Sequence, residues 1–393
     1  MKKQQLNGKI LWVLQKCWQA YVYIAVSGLT VCVLFGLLNV GVMLYLRLNL
    51  GKAENVVEKK YNIPLNSVYP DLSQKQIDRL LGETWGRPLQ YDPFCQFKEI
   101  PFTGTYLNID VNGFRKSIYQ EPWPPSQDNV NIFVFGGSTT FGYGVADGET
   151  IPSYLVQLLQ QTYPSKNAAI YNFGRADFYS SQERVLFEKI LVARYVPDLA
   201  IFIDGLNDFS YSEDEPQFTQ HLRQMMPIQI KPLLLKGLRR LPLGEILLTS
   251  QSQAISQASK DQEAEIERIL ARYIDNKKII DAISSEFGCQ AIFVWQPIPY
   301  YKYDLQYHVF KDVKADLDWG KLAKGYLLMA EHSQTDSLGD NFLWCADIQE
   351  KMHEPLYVDA VHYSAGFSRY LAEYIVNSMI ERHLSYAFEE NIG

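Results

Sequence analysis

NIFVFGGSTTFG, residues 131–142, is the stretch on which the fold turns. Its first six residues form a short apolar run rich in aromatic and β-branched side chains, and this predicts a buried strand. The run continues into Gly136, Gly137, Ser138, Thr139, Thr140, Phe141 and Gly142, a small-residue turn that lets a serine stand at the strand's carboxyl end. Three further runs have the same character: AAIYNF at 168–173, DLAIFID at 198–204 and CQAIFVW at 289–295. Helical patterns separate or follow them at about 149–163, 180–195, 262–287 and 365–384. Strands alternating with helices imply βαβ units and a parallel sheet covered on both faces, an α/β fold. Such sheets bind ligands beyond the carboxyl ends of their strands, so the loops there carry the chemistry.

A glycine-rich turn between strand and helix cradles phosphate when backbone N–H groups and a lysine converge on it. No GxxxxGK[ST] pattern occurs here, and the lysine is missing. The G-x-S-x-G elbow is absent too, because Thr140 occupies the second glycine position. The turn instead offers a serine with complementary neighbours. The second strand ends in Asn172, Phe173 and Gly174, and the third in Asp204, Gly205, Leu206, Asn207 and Asp208, at the same sheet edge as Ser138. A carbonyl attacked by Ser138 becomes a tetrahedral oxyanion. The backbone N–H groups of Ser138 and Gly174, with the Asn207 side-chain amide, would supply it with three donors. Taken singly, Gly174 reads as a turn glycine and Asn207 as a loop-capping side chain.

The last component is Asp359-Ala360-Val361-His362, just before the final helical pattern. A base and its carboxylate three residues apart on one loop place imidazole between Ser138 and Asp359: Nε2 takes the serine proton and the carboxylate holds Nδ1–H. His221, His308, His332, His353 and His383 lack both this spacing and the strand-end context. A lone His362 would read as a surface histidine; four loops delivering complementary groups in order to one sheet edge change that reading.

GGSTTFG, NFG, GLND and DAVH resemble blocks I, II, III and V of the SGNH (GDSL-like) hydrolases, with Ser138, Gly174, Asn207 and His362 as the residues matching that name. The resemblance covers roughly residues 130–385, and the upstream VNGFR at 111–115 is similar to a segment that precedes the catalytic domain in some members. It implies a three-layer α/β/α flavodoxin-like sandwich with a central parallel sheet, metal-independent ester hydrolysis and no cofactor. Gly137 stands where the family's GDS has aspartate. Asp177 stands where a second glycine is often found, beside Arg175, and these two residues are expected to alter how an acyl or sugar group is seated.

From Cys17 to Leu46 no residue is charged, and about 20 apolar residues suffice to cross a bilayer. The reading is a short tail (1–18), a single transmembrane anchor (19–46), a lead-in or linker (47–129), the hydrolase domain (130–385) with an insertion at about 211–261, and a C-terminal tail (386–393). Lys2, Lys3, Lys9 and Lys16 precede the span and Arg47, Lys52, Lys59 and Lys60 follow it, so the positive-inside count is near a tie. Four cations on a short tail ahead of a large domain still resemble a signal anchor with an extracytoplasmic domain. The insertion mixes Lys231, Lys236, Arg239 and Arg240 with leucine, isoleucine and methionine, a length and character that suit a lid or an interaction arm.

Net charge of −7 offers no basic footprint for nucleic acid. Cys17, Cys32, Cys95, Cys289 and Cys345 have neither zinc spacing nor a disulfide framework; free buried thiols are expected of the last three. The function expected is a serine esterase acting on short acyl esters, with envelope polysaccharide as a candidate substrate and the membrane as a partner through the anchor. The alternatives are acyl transfer to a glycan through the same acyl-serine, a lipase-like esterase, and an inactive glycan-binding module, which would need no triad geometry.

Overall fold

The structure, a computed structural model, describes residues 2–49, 63–211, 214, 216, 219, 262–313, 317–335 and 338–388. Nearly all of the 211–261 insertion, and with it the expectation of a lid or arm, lies outside the described residues.

The first helix, α1 (Lys2–Asn49), forms its own unit. Its stretch Trp12–Tyr45 is long and apolar enough to cross a membrane. Two of its polar side chains bond within the helix itself: Thr30 Oγ1 donates to Val26 O and Asn39 Nδ2 to Phe35 O, each at 2.8 Å. Internal satisfaction of this kind is what hydrocarbon demands of a polar group.

In the second unit the lead-in folds first. Helix α2 (Gln74–Thr84) starts at a capping box, in which Gln76 Oε1 accepts from the Ser73 backbone N–H at 2.9 Å. Two short hairpins follow, β1 (Leu89–Asp92) with β2 (Gln96–Glu99) and β3 (Phe102–Thr103) with β4 (Asn108–Ile109). The catalytic-domain elements then run β5 (Val130–Gly136), α3 (Ser138–Phe141), α4 (Ile151–Thr162), β6 (Ala168–Asn172), α5 (Ser180–Val192) and β7 (Leu199–Asp204). After the insertion come α6 (Gln262–Phe287), β8 (Gln290–Trp295), α7 (Trp319–Ser333), β9 (Phe342–Trp344) and α8 (Ala365–Glu381).

Strands β5 to β9 make one parallel sheet in the order β6-β5-β7-β8-β9. Alternation sorts the two faces by shape. Phe133, Phe135, Tyr171, Phe202, Phe293 and Trp295 point one way, into a core with residues of α5, α6 and α7. Ile132, Val134, Ile170, Ile201, Ile292 and Val294 point the other way, against α4 and α8. A sheet covered on both faces explains why its strands read as continuous apolar runs. The flavodoxin-like expectation holds. The chain adds β6 on one side of β5 and then β7 on the other, and this switch opens a crevice between the loops after β5 and β7, where Ser138 and Asn207 lie.

The lead-in packs as part of this unit. Leu65, Ile77, Leu80 and Leu81 are buried with Phe310 and Val358, beside the Asp359–His362 loop. VNGFR turns at Gly113 and delivers Arg115, whose backbone N–H donates to Asn172 O at 3.0 Å on the sheet's edge strand. The guanidinium is fully buried. It donates to the carbonyls of Phe141 (2.9 Å) and Val145 (2.7 Å) and pairs with Asp147 at 2.9 Å, clamping the turn that follows Ser138. Cys95, Cys289 and Cys345 are free and buried, as expected.

Removing one partner of such a buried ion pair strands the other. Arg115→Ala should therefore lower unfolding stability by about 3–5 kcal/mol. Lysine should not restore it, because a point ammonium cannot reproduce the planar fork that reaches several carbonyls and a carboxylate at once. Urea unfolding of both variants checks this, and a lysine variant as stable as the natural chain would show the fork to be dispensable.

Candidate active site

Ser138 opens α3 directly after Gly137, which is extended at φ −79° and ψ −155°. As the first helical residue, Ser138 has a backbone N–H with no intrahelical acceptor. The turn is built to near contact with its neighbours. A Cβ on Gly137 would stand 2.3 Å from Asn207 Nδ2, so this asparagine amide lies directly against the turn. A Cβ on Gly174 would stand 2.4 Å from Phe141 N and 2.8 Å from Thr140 C. Gly174 therefore demands glycine for the approach of backbone, whereas at Gly137 a side chain would have to displace the Asn207 amide.

Asn207 Nδ2 donates to Phe178 O at 2.7 Å, which fixes the amide and leaves its second N–H free to aim elsewhere. The Gly174 N–H is already engaged, donating to Asn172 Oδ1 at 2.9 Å. Asn172 Nδ2 in turn donates to Thr140 O at 3.0 Å, stitching β6 to the nucleophile turn.

On the other side, Asp359 and His362 form a closed local unit. The backbone N–H groups of Val361 and His362 donate to Asp359 Oδ1 at 2.9 and 2.8 Å, and His362 Nδ1 lies 2.7 Å from Asp359 Oδ2. A carboxylate facing Nδ1 places the proton there, leaving Nε2 as the basic nitrogen of the neutral ring. Burial opposes charge on Asp359, but His362 and these hydrogen bonds outweigh it and hold the carboxyl below its ordinary value. His362 Nε2 is buried and has no hydrogen-bond partner among the described residues. The Ser138 hydroxyl therefore does not close that hydrogen bond here; catalytic hydrogen bonds commonly tighten only with substrate bound. Tyr143 links the two sides, its N–H donating to Ser138 O at 3.3 Å and its ring centroid 5.4 Å from that of His362.

Near His362 lie Trp85, which the sequence reading did not single out, and His308, which it set aside as the base. Trp85, from the lead-in, meets His362 edge-on at 5.6 Å, and no motif signals it. His308 is buried against Tyr357 at 5.2 Å between ring centroids. Burial pushes its pKa down to about 4 despite the opposing charge of Asp359, so it is neutral and distinct from the base. Arg175 departs from expectation: its guanidinium donates to Asp92 Oδ2 (2.9 Å) and Phe97 O (2.8 Å) and is spent on the β1–β2 hairpin.

Behind Asn207 lie three buried carboxyls, Glu183, Asp204 and Asp208. Among the described residues, no group of three or more histidine, cysteine, aspartate or glutamate side chains is placed to hold a metal ion. Burial raises the Glu183 and Asp204 pKa values, and neighbouring carboxylates raise them further, Asp204 and Asp208 acting on Glu183 and Asp208 on Asp204.

Residues 134–308 match the GDSL-like Lipase/Acylhydrolase family. The class that fold and family match define is a hydrolase acting on ester bonds. Similar solved structures include an acetylxylan esterase from Geobacillus stearothermophilus, at 14% identity and TM-score 0.35 over 68% of this chain and 100% of that one. Another is the lipase Lip_vut3 from a goat rumen metagenome, at 11% identity and TM-score 0.38 over 64% of this chain and 97% of that one. No curated protein matches the chain.

A carboxyl whose folded pKa is raised contributes stability that is complete below the ordinary carboxylate range and lost as pH rises through the raised value. The chain should therefore lose melting temperature as pH climbs from about 5 to 8, above the ordinary glutamate value of about 4.3. Glu183→Gln should flatten that loss. Equal slopes in the two proteins would assign the alkaline sensitivity elsewhere.

Proposed function

We propose that the chain is a metal-independent serine esterase with Ser138 as nucleophile, His362 as base and Asp359 as its orienting carboxylate. One observation carries this: His362 Nδ1 is held 2.7 Å from Asp359 while Nε2 stays buried and unpartnered, on a loop joined through Tyr143 to Ser138. A buried basic nitrogen without a partner costs free energy unless something uses it. In the reaction Nε2 takes the Ser138 proton as Oγ attacks the ester carbonyl. The tetrahedral intermediate collapses, the alcohol leaves with the proton from Nε2, and an acyl-serine remains. Water then attacks through the same base, and the carboxylic acid is released as Ser138 recovers its proton.

The oxyanion is received by the Ser138 N–H, the free Asn207 N–H and the Gly174 N–H. Gly174 contributes least, because Asn172 already holds its N–H. We assign short acyl groups, acetyl foremost, carried on a cell-envelope glycan. This narrower part is supported by polar residues beside the oxyanion donors and by a membrane helix that would hold the domain at the envelope. The domain is assigned to the extracytoplasmic side; active alkaline phosphatase fused after Gly393 is expected, and an inactive fusion would reverse the orientation.

With the full chain in detergent, a fluorophosphonate should label Ser138, and Ser138→Ala should abolish both labelling and ester cleavage. Asn207→Ala should lower turnover roughly 10²–10³-fold, the scale of one oxyanion donor. Retained cleavage in the serine variant would overturn the triad. On a panel of chromogenic esters, an optimum at long chains would overturn the short-acyl assignment, and product that forms only with an added glycan acceptor would change hydrolysis to transfer.

A further inference from the structure

The loop from β6 to α5 crosses the nucleophile turn and is tied to it twice. The Arg175 N–H donates to Gly136 O at 3.0 Å, and Phe178 O accepts from Asn207 Nδ2 at 2.7 Å. Between these ties Asp177 adopts φ +56°, the left-handed region that aspartate and asparagine enter more readily than other side chains with a Cβ. It is only partly buried. The carbonyl of the next residue, Phe178 O, stands 3.2 Å from where a Cβ on Gly137 would lie, so the loop holds Asp177 beside the turn that carries Ser138. Its charge acts on His362 and on the Tyr143 and Tyr211 phenols. Arg175, the nearest cation along the chain, is committed to Asp92 and Phe97. Among the described residues, no hydrogen bond or ion pair engages the Asp177 carboxylate.

Backbone held in a sparsely populated region persists where surrounding structure over-determines it, and such positions cluster at ligand clamps and active sites. Here two hydrogen-bonded ties enforce the conformation and present an acid that the protein leaves without a donor. Burial raises its pKa and His362 only partly offsets this. An ionised carboxylate is an acceptor only, and its natural complement is a hydroxyl on the bound molecule.

We propose that Asp177 accepts a hydrogen bond from a free hydroxyl on the alcohol side of the ester, making the site selective for acyl esters of polyhydroxylated, glycan-type alcohols. The inference rests on the esterase reading above and names the group that would give it substrate selectivity. A fixed negative charge at this point also disfavours alcohols bearing phosphate or carboxylate.

The experiment compares two esters of one sugar, a mono-O-acetyl methyl xyloside with its other hydroxyls free and the same compound with those hydroxyls methylated. The full chain should prefer the free-hydroxyl ester by at least about tenfold in kcat/KM, the scale of a hydrogen bond to a charged group. Asp177→Gly suits the left-handed backbone and should bring that ratio close to one. Asp177→Asn, a neutral acceptor that tolerates the same conformation, should give a ratio between the two.

No preference in the natural chain, or a preference that survives in the glycine variant, overturns the proposal. Fluorophosphonate labelling of Ser138 in every variant separates causes: loss of labelling in Asp177→Gly makes the role structural and also overturns it. A natural chain that is labelled yet cleaves both esters equally leaves the esterase reading standing and sinks only this one. A chain neither labelled nor active on either ester sinks the esterase reading itself.

Discussion

Close approach to the turn after β5 is the constraint on which the reactive edge depends. Two neighbouring loops come so near that neither Gly137 nor Gly174 has room for a methyl group. At Gly174 the obstacle is the backbone of Thr140 and Phe141, so overpacking there costs about 1–3 kcal/mol; at Gly137 it is the end of the Asn207 side chain. The closeness also puts Asn207 beside the nucleophile turn, since the amide whose approach forbids a side chain at Gly137 is the proposed oxyanion donor. A side chain at position 137 therefore requires the Asn207 amide to shift from the placement seen here.

A turn pressed this tightly must be held from outside, and the segment read as a linker does that. The Arg115 guanidinium collects carbonyls after α3, Arg175 fastens the next loop to the β1–β2 hairpin, and Trp85 reaches the His362 ring. Each is a long-range contact made by a polar or aromatic side chain without catalytic spacing. Composition alone had marked this stretch as polar and proline-punctuated, which describes its surface. Its few apolar residues, Leu65, Ile77, Leu80 and Leu81 among them, are the ones that bury it.

What was legible followed from local physics. Strands β5 to β8 could be read because burial on both faces writes an uninterrupted apolar run, and α4, α5, α6 and α8 because their periodic patterns are long. Strand β9 has three residues, Phe342, Leu343 and Trp344, too few for any periodicity to show, and α7 follows a polar stretch that masks its start. The hairpin β1–β2 was hidden because Tyr91 and Phe94 at its tip are exposed, the reverse of the usual pattern. At the site, the Asp359–His362 pair was legible because its geometry is closed within four residues. The state of the Gly174 N–H was not, since only the fold shows that Asn172 claims it.

The two halves of the site therefore differ in what holds them. The base is oriented by hydrogen bonds inside one short loop, with the carboxylate, two backbone N–H groups and the ring all between Asp359 and His362. The proposed oxyanion side is assembled from β5, β6 and β7, through contacts spanning many residues, over a buried carboxyl pair whose pKa values burial raises. A local unit keeps its geometry as long as its loop is intact, whereas a side built from three strands inherits every shift in the sheet beneath it. Substitutions far from Ser138 that loosen the sheet should thus disturb oxyanion stabilisation before they disturb the base, lowering turnover while the Asp359–His362 pair stays formed.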